Sequence, residues 1–411
     1  MPRIVVIGAG AAGTMAAIFA ASAGAETILL ERTADGGRKI LISGGGRCNI
    51  LPSRVDEKRF VTDSSSASLR KIVRSWPLAE QIAFFETELS LPLVEEAESA
   101  KLFPASDRAR DVRDALLAHA ARRGARFMPG VRVTGLARAE DRWRIECADG
   151  EAFDADAVIV ATGGLSVPNT GSDGGGLSIL ERLGHTLNPT YAALTALTAT
   201  PAPYAALAGI SLWVAISAES GALRAAASGG FLFTHRGYSG PAVLDISHVA
   251  VRSLEPGAVR ARIVVNWLRR DAAAVERLLA PSGKRNVISA LRGELPERLV
   301  LALIDAAKLW PSRALAQLRR EERQSLVDTL VRFELPWSGH EGYKSAEVTG
   351  GGVSLAEVDP RTMESRRHRG LFLCGEVLDA FGPIGGYNFL WAWATGRAAG
   401  LGAARALNAL D

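Results

Sequence analysis

Gly8, Gly10 and Gly13 form a G-x-G-x-x-G array with Ala11 and Ala12 inside it, and Glu31 stands 18 positions after the last glycine. These residue types at this spacing suit a dinucleotide. The first glycine permits a tight turn, the second lets the backbone approach a pyrophosphate, and the third lets a helix pack closely on a strand. Amides at a helix N-terminus then present partial positive charge to the phosphates. Glu31 can accept both hydroxyls of an adenosine ribose and would repel a 2′-phosphate. Arg32, next in sequence, is grouped with it.

Four further sets bear on which large ligand is held. The apolar run Val158-Ile159-Val160 ends in Ala161-Thr162-Gly163-Gly164, a turn that can return the chain to the same ligand. A second short run, Leu371 to Leu373, ends in Cys374-Gly375-Glu376. A carboxylate there can hydrogen-bond ribityl hydroxyls, which FAD has and NAD lacks. Gly385-Gly386-Tyr387-Asn388 then opens an Ala- and Trp-rich stretch, Phe389 to Ala406. The glycines let that helix start close to a flat ring, and its first amides can stabilise negative charge on the reduced ring. Finally, Ser43-Gly44-Gly45-Gly46-Arg47-Cys48-Asn49 joins three glycines to a cation, a thiol and an amide. So flexible a support for polar groups points to a large ligand lying against the backbone.

The elements needed to hold these groups are visible. Ile4 to Ile7 is a β-branched run suited to a strand buried on both faces. An Ala-rich helix follows to Ala23 and stops at Gly24, and Glu26 to Leu30 makes the next strand. Strand-like Val131 to Ala137, which contains Val133, and Arg142 to Cys147 predict a β-meander, an insertion common in flavin-binding folds. The expectation is an α/β, two-dinucleotide-binding-fold (Rossmann-like) FAD domain, discontinuous over 1–188 and 343–411. Between its parts the patterning predicts a β-barrel-like region, 189–270, and a helical region, 271–342. In the former, Ile210 to Ser217, Leu223 to Ala227, Phe231 to Thr234 and Val259 to Trp267 read as strands.

Composition narrows the classes. The 411 residues are 48% hydrophobic and 22% charged, as in ordinary globular proteins. Net charge is only +4 and seven of the 48 basic residues are Lys, so the arginines read as compositional bias and a nucleic-acid partner as unexpected. The best basic patches are Arg366 to Arg369 and Arg319 to Arg323, both read as solvated faces. Cys48, Cys147 and Cys374 have no C-x-x-C spacing, which argues against a dithiol relay and fits a reducing cytoplasm. The histidines show no metal-ligand spacing, and no stretch reads as a membrane span.

Taken together, VVIGAGAAG at 5–13, GRKILISGGGRCN at 37–49, ATGGLSVPNTGSDG at 161–174, FLFTHRGYSGPAVLDIS at 231–247, the 349–379 segment from TGGGVS to GEVLD and GGYNFLWAWATGRAAG at 385–400 make the chain resemble the BaiN-like (YhiN-like) NAD(P)/FAD-dependent oxidoreductases of bacteria. It departs from their habit at Ile50 to Ser53, Gly175 and Leu177. The resemblance implies that Arg38 and Lys39 supply charge for phosphate, that Gly44, Gly45 and Gly46 supply amides, and that Arg47, Cys48 and Asn49 lie near the isoalloxazine. Cys48 is expected to be a buried neighbour of the cofactor and not a catalytic thiol.

The expected chemistry is hydride transfer between non-covalent FAD and a small organic substrate. NAD(P)H would be a transient donor, since no second G-x-G-x-x-G is present. The polar loop Thr234 to Pro241 offers His235 or Tyr238 to a substrate, and Tyr387 is a further catalytic candidate. An FAD-containing RNA-modifying enzyme and a flavin-binding protein without turnover are the alternatives. Oligomeric state is not legible.

Overall fold

The computed structural model describes residues 2–281 and 285–408. The chain divides into two compact units, 1–191 with 347–411, and 192–346.

The first unit is organised by a five-stranded parallel sheet. Its strands are β1 (Arg3–Ile7), β2 (Glu26–Glu31), β3 (Arg126–Pro129), β4 (Ala157–Val160) and β5 (Leu371–Leu373), in the order β5-β4-β1-β2-β3. Register runs Val5 against Val158 on one side and Ile28 on the other. Ile4, Val5 and Val6 are fully buried, as the unbroken β-branched run requires. Helix α1 (Ala11–Ser22) connects β1 to β2, and the C-terminal helix α2 (Tyr387–Asn408) packs along it. Small residues set that approach: a side chain on Gly396 would meet the Ala12 carbonyl, and one on Gly400 would lie 3.0 Å from Ala20 N. The indoles of Trp391 and Trp393 are buried and donate to Gly375 O and Ile50 O, both at 3.1 Å. The meander is a three-stranded antiparallel sheet, Val133–Ala139, Arg142–Cys147 and Ala152–Ala155, with an irregularity between Val133 and Gly135.

The second unit holds a seven-stranded antiparallel sheet in the order Phe333–Glu334, Arg262–Asn266, Ser211–Ser220, Leu223–Thr234, Gly237–Ser239, Leu197–Thr198 and Gly339–His340. Its two end strands are not neighbours, so the barrel-like region is an open sheet. Leu223 to Thr234 is one strand where the sequence suggested two. Gly229 and Gly230 do not break it: Cβ atoms there would make ordinary contacts of 3.5 to 3.9 Å with Pro241 and Ala242, at the start of the helix Pro241–Arg252 that packs on this strand. Strand residues Val214, Phe231 and Val265 share one hydrophobic cluster with Leu279, Val300 and Leu326 of the helical stretch.

Candidate functional site

The three motif glycines at the end of β1 face different demands. Gly8 has φ +102, and a Cβ there would sit 2.6 Å from Ala161 O. A Cβ on Gly13 would run into Gly8 O and lie 3.0 Å from Ala161 Cβ. Both are therefore fixed by packing among β1, α1 and the turn after β4. Gly10 is not: its φ is −80°, and no atom lies within 4 Å of where its Cβ would be. It precedes α1, whose N-terminus has neither a side-chain cap nor an acidic residue in its first turn. Buried Glu31 lies beside this bare helix end. Its Oε2 accepts from Ala9 N–H at 2.8 Å, and its Oε1 accepts from Thr33 N–H at 2.8 Å and Thr33 Oγ1 at 2.7 Å. An open backbone at uncapped amides, next to a carboxylate, fits the adenosine diphosphate half of FAD. Arg32 turns outward to Asp173 and to Gly171 O at 3.4 Å. Val131 N–H donates to Glu31 O at 2.9 Å, which ties the approach to Val133 to the end of β2.

Lys39 does not stand free for a phosphate. Its ammonium donates to Glu376 Oε2 and to Ser166 Oγ, each at 2.6 Å. Glu376 Oε1 accepts from Ser166 Oγ at 2.7 Å and from Thr349 N–H at 2.9 Å. Thr349 Oγ1 in turn accepts from Leu165 and Ser166 N–H, at 2.8 and 3.1 Å. Burial alone would raise the Glu376 carboxyl, but adjacent Lys39 and the hydrogen bonds hold it below the usual carboxylate range. Gly163 and Gly164 are packed by this network and its surroundings: added Cβ atoms would lie 2.6 Å from Ser172 Oγ and 2.9 Å from Glu376 Oε1. Thr162 Oγ1 is buried without a hydrogen-bond partner.

The Ser43–Gly46 turn runs left-handed, with φ of 57, 69 and 87° at Gly44, Gly45 and Gly46, so only glycine adopts it cheaply. The sides of Gly45 and Gly46 that would carry a Cβ face no close neighbour. Arg38 pairs with Asp35 at 2.7 Å. Arg47 is held away from any free role, 4.1 Å over the Phe103 ring and paired with Glu96 at 3.2 Å. Cys48 is fully buried, and burial pushes its thiol up to about 12 despite a hydrogen bond with Ser43. It is not a thiolate nucleophile at neutral pH. Asn49 oriented with its oxygen toward the C-terminal turn accepts from Gly386 N–H at 2.9 Å and donates to Leu51 O at 3.1 Å. The G-R-C-N and G-G-Y-N motifs are thereby joined.

That junction changes the meaning of Gly386. Its φ is +88, and a Cβ would stand 2.6 Å from Pro52 N and 2.8 Å from Leu51 Cα. The space a side chain would take belongs to the chain's own backbone, not to a ring. Gly385, with φ +118, has the open side, its nearest neighbour there being Lys101 Cε at 3.9 Å. Tyr387 is no proton donor to a substrate: it is buried, its hydroxyl donates to Arg54 O at 3.3 Å and accepts from Asp56 N–H at 3.2 Å. Asn388 braces the preceding loop through Gly382, with both bonds at 2.9 Å. Gly375, with φ +76, is pressed against Ala12 Cβ and donates its N–H to Thr395 Oγ1 at 3.0 Å.

A family model described as HI0933-like protein Rossmann domain matches residues 2–402. The chain belongs to that family. It is 33% identical over 412 residues to the 3-dehydro-bile acid delta(4,6)-reductase of Clostridium scindens, covering 98% of this chain and 99% of that one. It is also 33% identical over 402 residues to the ribosomal RNA dihydrouridine synthase of Escherichia coli, covering 95% of each. Among solved structures it resembles the open conformation of a flavocytochrome c3 fumarate reductase, at 16% identity and a TM-score of 0.50 over 100% of this chain and 79% of that one; this likeness is one of fold.

As a member of the HI0933-like family the chain is an FAD-dependent oxidoreductase with a Rossmann-type FAD-binding domain. The fold brings residues 8–13, 31, 39, 161–164, 375–376 and 385–388 into one unit. Ser166 and Thr349, which complete the Lys39–Glu376 network, were missed; the only sequence signal was the repeated T-G-G at 162–164 and 349–351. In the second unit His235 is exposed in the turn between Leu223–Thr234 and Gly237–Ser239. Tyr238 is a core residue whose hydroxyl donates to Pro336 O at 2.8 Å and whose phenol burial pushes upward, so it does not face a substrate. No described helix is long and apolar enough to cross a membrane.

Proposed function

We propose that this chain is a reductase that saturates a carbon–carbon double bond conjugated to a carbonyl, using non-covalently bound FAD. The observation that carries this reading is the pair of 33% identical relatives, each matched over at least 95% of its length. One is named for reducing the delta(4,6) unsaturation of a 3-dehydro bile acid, the other for making dihydrouridine. A 3-oxo group conjugated with ring double bonds and the C5=C6 bond of uracil share one reactivity: the carbon β to a carbonyl accepts a hydride.

Bound FAD would supply that hydride at its N5. The amides at the start of α1 and the open face of Gly10 would hold the pyrophosphate, and Glu31 the adenosine ribose. The Lys39–Glu376 pair ties residues 39, 166, 349 and 376 into one rigid wall. The N-terminal amides of α2 would favour negative charge on the reduced ring. Neither Cys48 nor Tyr387 donates a proton, since burial holds the thiol proton firmly on Cys48 and the Tyr387 hydroxyl is bound to backbone; the proton that completes the saturation at the α carbon would come from water. NAD(P)H is the proposed electron donor.

The test is spectroscopic. The purified protein should be yellow and release FAD on heating. Anaerobic addition of NADH or NADPH should bleach it, and a steroid enone or a uridine-containing RNA should restore the colour in proportion to product. Colourless protein, or bleached protein that neither acceptor reoxidises, would overturn the proposal.

A further inference from the structure

The first unit carries an open cleft of about 640 Å³ lined by Ala67, Arg70, Lys71, Arg74, Ser75, Pro360 and Arg361. Two distant segments build it. The helix Ser66–Val73 and the residues after it bring Arg70, Lys71 and Arg74 to one wall, and the turn at 359–363 brings Arg361 to the other. No carboxylate lines the cleft. Arg74 alone is neutralised, by Glu57 at 2.7 Å. Arg70, Lys71 and Arg361 have no ion pair among the described residues, and all three are exposed. The nearby carboxylate of Asp359 is shared between Arg361 N–H, at 2.8 Å, and Arg366, at 3.7 Å.

We infer that this cleft docks the phosphodiester backbone of an RNA. Three uncompensated cations spread around an open trough match a chain of phosphates, in which each cation can meet its own phosphate along the strand. No aromatic side chain lines it, so there is no platform for stacking bases, and the contact would position an RNA without reading its sequence. Its place in the fold fits a docking role remote from chemistry. Arg397 of α2 donates to Ser75 O at 3.4 Å, so the cleft lies alongside α2 ten residues past Tyr387, about 15 Å down the helix at 1.5 Å per residue. A few nucleotides span that length. The inference stands on the cleft and not on the flavin chemistry, and the assay separates the two.

The test uses the intact protein and fluorescein-labelled single-stranded and hairpin RNAs, with binding read by anisotropy from 50 to 300 mM salt. Each phosphate contact contributes about 0.7 to 0.9 to the slope of log K against log salt. Arg70→Ala with Arg361→Ala should therefore lower the slope by roughly 1.4 to 1.8 and weaken binding at least tenfold at 100 mM salt. Arg70→Lys with Arg361→Lys should restore most of the slope. Both variants should keep the wild-type visible flavin spectrum and circular dichroism, since neither side chain contacts the flavin site. Wild-type protein that binds no RNA at 50 mM salt overturns the inference. So does an unchanged slope in the alanine variant, or full competition by millimolar inorganic phosphate with no dependence on RNA length, which would make the cleft a small-anion site.

Discussion

Replacing Gly10 with alanine should leave the FAD-free protein about as stable as before while weakening FAD, so that one methyl group separates folding from binding. Gly10 sits at φ −80°, ψ −168°, backbone that any residue adopts, and its Cβ would meet nothing within 4 Å. Loss of glycine's freedom in the unfolded chain favours folding by about 0.4 to 1 kcal/mol, and alanine's poorer fit at the N-cap of α1 offsets a similar amount. If the pyrophosphate crosses this open face, the methyl occupies its space, and overpacking of a fitted contact costs about 1 to 3 kcal/mol, or roughly 5- to 150-fold in Kd. Gly13→Ala supplies the contrast within the same motif. Its Cβ would run into Gly8 O and press on Ala161 Cβ, so the FAD-free protein itself should lose about 1 to 3 kcal/mol. Thermal unfolding of the apoprotein by circular dichroism and FAD titration by flavin fluorescence measure the two quantities separately. Gly10→Ala with an unchanged Kd for FAD would refute the path of the pyrophosphate, and a Gly10→Ala apoprotein destabilised as much as Gly13→Ala would refute the open geometry.

Glu31→Ala removes the acceptor of Ala9 N–H and of both Thr33 donors, so FAD affinity should fall by about 1 to 3 kcal/mol and apoprotein stability should fall with it; calorimetric titration and thermal melts check the pair. Cys48→Ser should keep FAD and most turnover, and loss of turnover with FAD still bound would contradict the inert thiol. Burial pushes the Cys48 thiol from its ordinary 9.0 up to about 12, so its contribution to stability is complete below pH 9 and is lost as pH rises from 9 toward 12. Alkaline denaturation should therefore be less steep in Cys48→Ala than in wild type, by up to about 1.4 kcal/mol per pH unit. Gly386→Val should lower the melting temperature of the apoprotein as well as its FAD content, because the side chain meets the Leu51–Pro52 backbone; a stable variant lacking only FAD would show that the flavin, not the chain, claims that space.

What could be read from the sequence was local. Ile4 to Ile7, the glycines that follow and Glu31 lie within one β-turn-α-β unit and are legible as such, although the turn at Ala161 that also presses on Gly8 and Gly13 comes from about 150 residues away. The Lys39–Glu376 pair joins residues 337 positions apart, so nothing in either neighbourhood says that the lysine meets a carboxylate in place of a phosphate. Gly385-Gly386 reads in the sequence as room for a flat ring, but the obstacle that excludes a side chain at Gly386 is a strand more than 300 residues upstream. Gly229 and Gly230 show the same limit inside a strand: the pair reads as a break, yet one strand runs through it from Leu223 to Thr234. Charge follows the same rule. Arg366 to Arg369 is the conspicuous basic run, yet Glu357 and Asp359 compensate Arg367 and Arg366. The uncompensated cations are Arg70 and Lys71 on a helix and Arg361 in a turn, unremarkable in their own segments and concentrated only because the fold closes a loop of nearly 300 residues between them. A weak net charge of +4 therefore says little about where a polyanion could bind; the arrangement of partners, which topology decides, says more.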